Sequence, residues 1–130
     1  MASEVVLDAS ALIALFAGEP GHEIVASRLE RAAITTVNIA EVGDFVLRHG
    51  GNLRDLDESL SKLEISILTP DYALALEASA LLPATRSAGL SLADRFCMAL
   101  ARRLDRPALT SDHAWATIAD AVGVQVTLIR

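Results

Sequence analysis

Four acids follow apolar runs at comparable places along the 130-residue chain. Asp8 closes "VVLD", Glu41 lies in "ITTVNIAEV", Asp94 in "LSLADRFCMALA" and Asp112 in "ALTSDHAW". Carboxylates are hard oxygen ligands, and they also accept and return protons, so a convergent set suits a divalent cation and hydrolysis by an activated water. Convergence is costly without positive charge. One carboxylate pair at ~4 Å repels by about 4 kcal/mol at an effective dielectric of 20. Mg²⁺, with Mn²⁺ as second choice, is the cation that open oxygen-rich sites favour.

Each acid also has a structural reading. Asp8 and Asp112, the latter beside Ser111, suit helix N-caps. Ser91 and Asp94 fit a capping box, S-x-x-D. Glu41 fits a solvated helix position, with Asp44 one turn on; yet Val37 and Ala40 put it on a largely apolar surface, where a lone carboxylate would be costly. Capping and ion binding are compatible, because a helix N-terminus favours an anion in either case.

The elements that would position these acids alternate. Runs at 4–7, 32–36, 65–69, around 108–110 and 124–129 read as strands, and helical spacing fills the intervals. Helices are expected over "ASALIALFAGE", stopped by Gly18, over "GHEIVASRLERA", and in the stretches around Glu41, Leu56, Ala75, Asp94 and Trp115. Pro70 is expected to open the fifth helix, and Pro83 to Gly89 to form a loop. This alternation predicts one domain over 1–130, a three-layer α/β/α fold with a short, mostly parallel sheet. A parallel sheet puts all four acids on its carboxyl-end side.

Composition narrows the function. Net charge is −6, which excludes a simple basic nucleic-acid binder. The charge is uneven: residues 1–78 carry 13 acids against 5 bases, and 79–130 carry 4 against 6. Ten of the eleven bases are Arg, the side chain suited to bidentate phosphate contact. Arg86, Arg95 and Arg102, with Arg103 and Arg106, lie in the less acidic half as candidate RNA contacts. Cys97 is the single cysteine, so an internal disulfide or cysteine metal cluster is excluded. His22, His49 and His113 lack metal-ligand spacing, and Trp115 reads as core. The "MASEVVLD" start shows no basic leader and no apolar run is long enough to span a membrane, so a cytoplasmic location is expected. The apolar fraction, 52%, exceeds what a domain this small needs. Leu12, Ile13, Leu15, Phe16, Ile24, Val25 and Leu29 wrap more than one helix face and predict an exposed patch, hence a partner.

The four stretches, in this order and spacing, resemble the motifs of PIN-domain ribonucleases, and more narrowly the VapC toxins of type II toxin–antitoxin pairs. The resemblance covers essentially the whole chain. It implies an acidic Mg²⁺ site of Asp8, Glu41, Asp94 and Asp112, with Ser10, Asn38 and Thr110 in supporting polar positions. It also implies endonucleolytic cleavage of RNA, often tRNA or rRNA, a homodimer, and a cognate antitoxin protein. Asp44 is outside the usual pattern. Four other readings compete. A non-catalytic PIN-like RNA-binding or scaffold module would not need all four acids. A metal-dependent nuclease without a toxin role fits the same chemistry. A haloacid-dehalogenase phosphatase needs an acid where Ser10 stands, and a phospho-receiver domain needs a late Lys where the only Lys is Lys62.

Overall fold

Each apolar run and each amphipathic stretch takes up its own element in the computed structural model, which describes residues 4–130. The strands are β1 Val6–Leu7, β2 Ala33–Thr35, β3 Ser66–Leu68, β4 Ala108–Thr110 and β5 Val126–Leu128. The helices are α1 Ala9–Ala17, α2 His22–Ser27, α3 Thr36–Arg48, α4 Leu53–Ser61, α5 Tyr72–Ala80, α6 Leu82–Thr85, α7 Leu92–Leu104 and α8 Ala114–Val122. Met1–Ser3, which open the segment expected to lack a leader, lie outside the described residues. No helix among the described residues is long and apolar enough to cross a membrane.

The sheet runs β3-β2-β1-β4-β5, and every adjacent pair is parallel. The chain builds outward from β1 to β2 and β3, then crosses back to β4 on the other side. The order therefore reverses between β1 and β4, and such a reversal leaves a crevice at the strands' carboxyl ends. Alternation along the strands sorts two cores. Val6, Ala33 and Ala108 face α5, α7 and α8, around Met98 and Trp115. Val5, Leu7, Ile34 and Leu109 face α1 to α4, around Leu12, Val25 and Val42. The result is the expected three-layer α/β/α arrangement, with a sheet parallel throughout.

Local departures have local causes. Gly18 ends α1 as expected, taking the left-handed conformation at φ +66° that a side chain would strain. The second helix stops at Ser27 instead of running to Ala32; Arg28 leaves helical geometry at φ −112°, and Arg31 turns the chain at φ +63°. Asp71, rather than Pro70, starts α5 by accepting the Leu74 N–H at 2.7 Å. The segment expected to be a loop is helical: α6 tolerates Pro83 in its first turn, where the missing N–H has no helical acceptor, and a 3-10 turn follows at Arg86–Ala88.

Candidate active site

Register decides the centre of the site. Leu7 pairs with Leu109, and the Asp8 N–H donates to the Leu109 carbonyl at 3.1 Å, so Asp8 and Thr110 leave their strands side by side. Asp8 then caps α1, its Oδ1 accepting from the Ala11 N–H at 2.8 Å and the Ser10 hydroxyl at 2.7 Å. The Thr110 hydroxyl donates to Asp8 Oδ2 at 2.6 Å and accepts the Asp112 N–H at 3.0 Å. Ser10 Oγ in turn accepts the Ser111 N–H at 2.9 Å. Ser10 and Thr110 thus fasten the end of β4 to the start of α1 around one buried carboxylate. Burial pushes the Asp8 carboxyl up to about 6 against the pull of Thr110, Ser10 and the Ala11 N–H; the Asp94 charge adds to the rise.

A second network holds Glu41. Asn38 is fully buried, and its Nδ2 donates at 3.1 Å both to Glu41 Oε1 and to the Ala93 carbonyl. Its Oδ1 accepts the Thr35 hydroxyl at 2.7 Å. One amide therefore ties α3 to the first turn of α7, beside Asp94. Asp94 and Ser91 form the expected capping box, with the Ser91 N–H on Asp94 Oδ2 at 2.9 Å and the Asp94 N–H on Ser91 Oγ at 3.1 Å. Asp112 is exposed, and its Oδ1 accepts the Ala114 N–H at 2.9 Å. Burial raises the carboxyls of Glu41 and Asp94, and the charge of a neighbouring acid raises each further, Asp94 acting on Glu41 and Asp112 on Asp94.

The four acids line one cleft of about 330 Å³ at the carboxyl end of the sheet, together with Ser10, Ile13, Asp44, Phe45 and Arg48. Capping and clustering coincide at Asp8 and Asp94, whose bonds at the N-termini of α1 and α7 leave their carboxylates in the cleft; Asp112 precedes the α8 N-cap, His113, and bonds the first helical N–H instead of capping as expected. Cys97 lies behind them as a buried, packed thiol, pushed well up first by burial and then by the charges of Asp8, Asp94 and Glu41.

The sequence matches the PIN domain family over residues 5–121. The chain belongs to the PIN-domain family. Comparison with curated proteins gives no match. Among solved structures, this PIN domain is similar to a toxin–antitoxin complex from Klebsiella pneumoniae at 20% identity and TM-score 0.74, covering 97% of this chain and 98% of that one. It is similar to DNA-bound VapBC from Salmonella typhimurium at 15% identity and TM-score 0.75, covering 98% of each. It is also similar to VapC20 of Mycobacterium tuberculosis, a sarcin–ricin-loop-cleaving toxin, at 17% identity and TM-score 0.72, covering 87% of this chain and 94% of that one. The fold is that of VapC-type PIN domains.

The oxygen donors of this PIN domain suit a hard cation, but they do not encircle one. Among the described residues no three acidic, imidazole or thiol side chains stand close enough to hold an ion directly. Internal bonds already use both oxygens of Asp8 and one each of Glu41, Asp94 and Asp112. The lone pairs these bonds leave free on the four carboxylates, Asp8 included, fit an ion held partly through water, as Mg²⁺ commonly is.

Other expectations fall differently. Glu41 is half-buried, but Ala40 and Asp44 are exposed; Asn38, rather than the predicted apolar neighbours, accounts for its setting. The five arginines do not form one surface. Arg95 is partly buried and donates to the Ala78 carbonyl at 3.0 Å. Arg103 pairs with Asp71 and Glu77, and Arg106 with Glu4. Arg86 and Arg102 are exposed and lie outside the cleft lining. Within residues 12–29, Leu12 and Val25 are buried, while Phe16 and Ile24 remain exposed. Phe16 joins Ile13, Phe45 and Val46 in an apolar depression beside the acids. A larger one, about 410 Å³, opens between α3 and α4 along Ile39, Leu47, Leu53 and Leu56. Phe45 and Arg48 were not anticipated as cleft residues. Helical spacing from Glu41, at four and seven residues, carries the signal that would have found them.

Proposed function

We propose that this PIN domain is a divalent-metal-dependent endoribonuclease, using Mg²⁺ or Mn²⁺, and the toxin of a toxin–antitoxin pair. The observation that carries the reading is the convergence of Asp8, Glu41, Asp94 and Asp112 on one cleft, three of them with carboxyls raised by burial and mutual charge. Such a cluster is short of positive charge, and a divalent cation supplies it.

Asp8 and Asp94 are the principal ligands in this reading, with Glu41 and Asp112 acting partly through water. A bound cation supplies acidification of the attacking water and polarisation of the scissile phosphate. Glu41 is suited to take the water's proton on Oε2, since Oε1 is fixed by Asn38 and its raised carboxyl brings it nearer neutral pH. Ser10 and Thr110 hold Asp8 in its ionised orientation. Attack by water breaks the P–O3′ bond, needs no 2′-hydroxyl, and leaves a 5′-phosphate and a 3′-hydroxyl.

The toxin reading rests on the whole-length likeness to proteins solved as toxin–antitoxin complexes. The likeness to VapC20, a sarcin–ricin-loop-cleaving toxin, supports structured rRNA as a substrate class, with tRNA the other candidate that the family resemblance implies. An antitoxin segment with an apolar face would seat along Ile13, Phe16, Phe45 and Val46, where a basic side chain could reach the acids. A homodimer is the expected assembly. RNA end mapping after induced expression tests the reading. One class of 5′-phosphate ends should appear, and purified protein should reproduce it with Mg²⁺ and lose it with chelator. Asp8→Asn and Asp94→Asn should each reduce the rate far more than about tenfold. Undiminished cleavage in chelator would overturn the metal mechanism, and cleavage without growth arrest or antitoxin capture would remove the toxin role.

A further inference from the structure

The cleft wall formed by α3 carries a charge that the four acids do not explain. Glu41, Asp44, Phe45 and Arg48 share one helix face and all line the cleft. With Asp8, Asp94 and Asp112 the lining holds five carboxylates, and among the described residues lining it Arg48 is the single cation. An RNA strand approaching that lining is repelled by every carboxylate that the metal does not neutralise. Arg48 lies seven residues beyond Glu41, ~10 Å along the helix at about 1.5 Å per residue, so it reaches a phosphate flanking the one being cut.

Arg48 is also loosely held. Its Nη2 stands 3.7 Å from Asp44 Oδ2, longer than the roughly 2.7–2.9 Å of a charge-assisted hydrogen bond, and the two side chains are 73% and 65% exposed. Arg95, Arg103 and Arg106, by contrast, are engaged with Ala78, with Asp71 and Glu77, and with Glu4. A guanidinium that touches only a weak, solvated partner can exchange it for a phosphate, which it binds through two parallel N–H donors.

Building on the ribonuclease reading, we propose that Arg48 binds a backbone phosphate flanking the scissile bond, and that Asp44 keeps it over the cleft until RNA displaces the carboxylate. Asp44 thereby gains a role: it weakens unproductive anion binding at the rim. The competing account is that Arg48, in the last turn of α3, only offsets the helix dipole.

The test measures anisotropy with fluorescein-labelled total tRNA, or labelled rRNA fragments if wild type cleaves those instead, at fixed Mg²⁺ in an Asp8→Asn background. Arg48→Gln should raise Kd about tenfold and flatten the salt dependence of log Kd by about 0.7, the slope of one single-strand phosphate contact. Arg48→Lys should restore the slope, and Asp44→Asn should lower Kd roughly threefold. An unchanged slope in Arg48→Gln, with a lowered melting temperature and RNA still bound and cleaved by wild type, leaves the dipole role alone and overturns the proposal. Wild type that neither binds nor cleaves either RNA overturns the ribonuclease reading, and this proposal with it.

Discussion

Thr110 donates its hydroxyl to Asp8 Oδ2 at 2.6 Å across the β1–β4 reversal point, with Thr110 fully buried and Asp8 only 4% exposed, at the floor of the cleft. The bond favours the ionised carboxylate, while burial favours the protonated one and wins. Thr110→Val removes the donor at nearly constant shape. The Asp8 carboxyl should then titrate above its present value of about 6, and tighter proton binding should weaken Mg²⁺ at neutral pH. Carboxyl-carbon NMR of Asp8, with calorimetric Mg²⁺ titration at two pH values, checks both. An Asp8 titration that stays put in Thr110→Val would mean that the short bond contributes nothing to the carboxylate.

The same carboxyl makes stability depend on pH with a definite sign. Its folded value, about 6, is above the ordinary 3.8, so between those values the folded state holds the extra proton. Stability from Asp8 is therefore fully present below pH 3.8 and lost as pH rises through 6. Two units correspond to about 3 kcal/mol. Asp8→Asn keeps the Oδ1 acceptor for the Ala11 cap and removes the titration. The difference between wild type and Asp8→Asn in metal-free urea unfolding should thus grow by about 2.5 kcal/mol from pH 4 to pH 7, part of the effect being already lost at pH 4. Saturating Mg²⁺ should shrink that difference, because the ion favours the charged form. A constant difference across the range would show that Asp8 is not buried as a carboxylate.

Arg86 and Arg102 are exposed, stand away from the cleft lining, and occupy the less acidic half of the chain. If they track RNA beyond the cut site, Arg86→Gln with Arg102→Gln should flatten the salt slope of RNA binding by up to about 1.4 and leave the melting temperature in place. Arg95 is kept out of this variant, because its bond to the Ala78 carbonyl makes a stability loss the expected outcome. A full wild-type slope in the double variant would mark these two arginines as solvated helix decoration.

Much of this was legible in the sequence because periodicity and strand-end placement are local signals. The βα alternation predicts the parallel sheet; Asp8 and Asp112 stand just past β1 and β4, while Glu41 and Asp94 were placed by their positions near the N-termini of α3 and α7. What was not legible depends on side-chain direction. The resemblance marks Asn38 as a supporting polar position, but not what it does: its bridge from Glu41 to the Ala93 carbonyl needs α7 to arrive from 55 positions along the chain. The arginines after Ala80 look like one basic set, yet α5 supplies Ala78, Asp71 and Glu77 as partners for two of them. Val37 and Ala40 place Glu41 on an apolar face by sequence alone, but the buried side of α3 is Asn38, Val42 and Gly43, and Ala40 is exposed.

Asp94 performs two jobs that pull stability in opposite directions, and a pair of variants separates them. As half of a capping box it stabilises the first turn of α7, through the Ser91 N–H at 2.9 Å. As a partly buried carboxylate facing Asp112 and Asp8 it destabilises the metal-free fold, first through burial and then through like charge. Asp94→Asn retains an oxygen for the Ser91 N–H and removes the charge, so the metal-free melting temperature should rise by a few degrees. Ser91→Ala removes the other half of the box and leaves the charge, so it should cost about 1 kcal/mol and lower the melting temperature. The contrast should reverse with Mg²⁺: the ion should stabilise wild type and Ser91→Ala but leave Asp94→Asn nearly unmoved, because the variant has lost a principal ligand. Thermal unfolding of the three proteins, in chelator and in saturating Mg²⁺, reads all of this. A drop of several degrees for Asp94→Asn in both conditions would make Asp94 a cap alone, and Asp8, Glu41 and Asp112 would then have to account for metal binding without it.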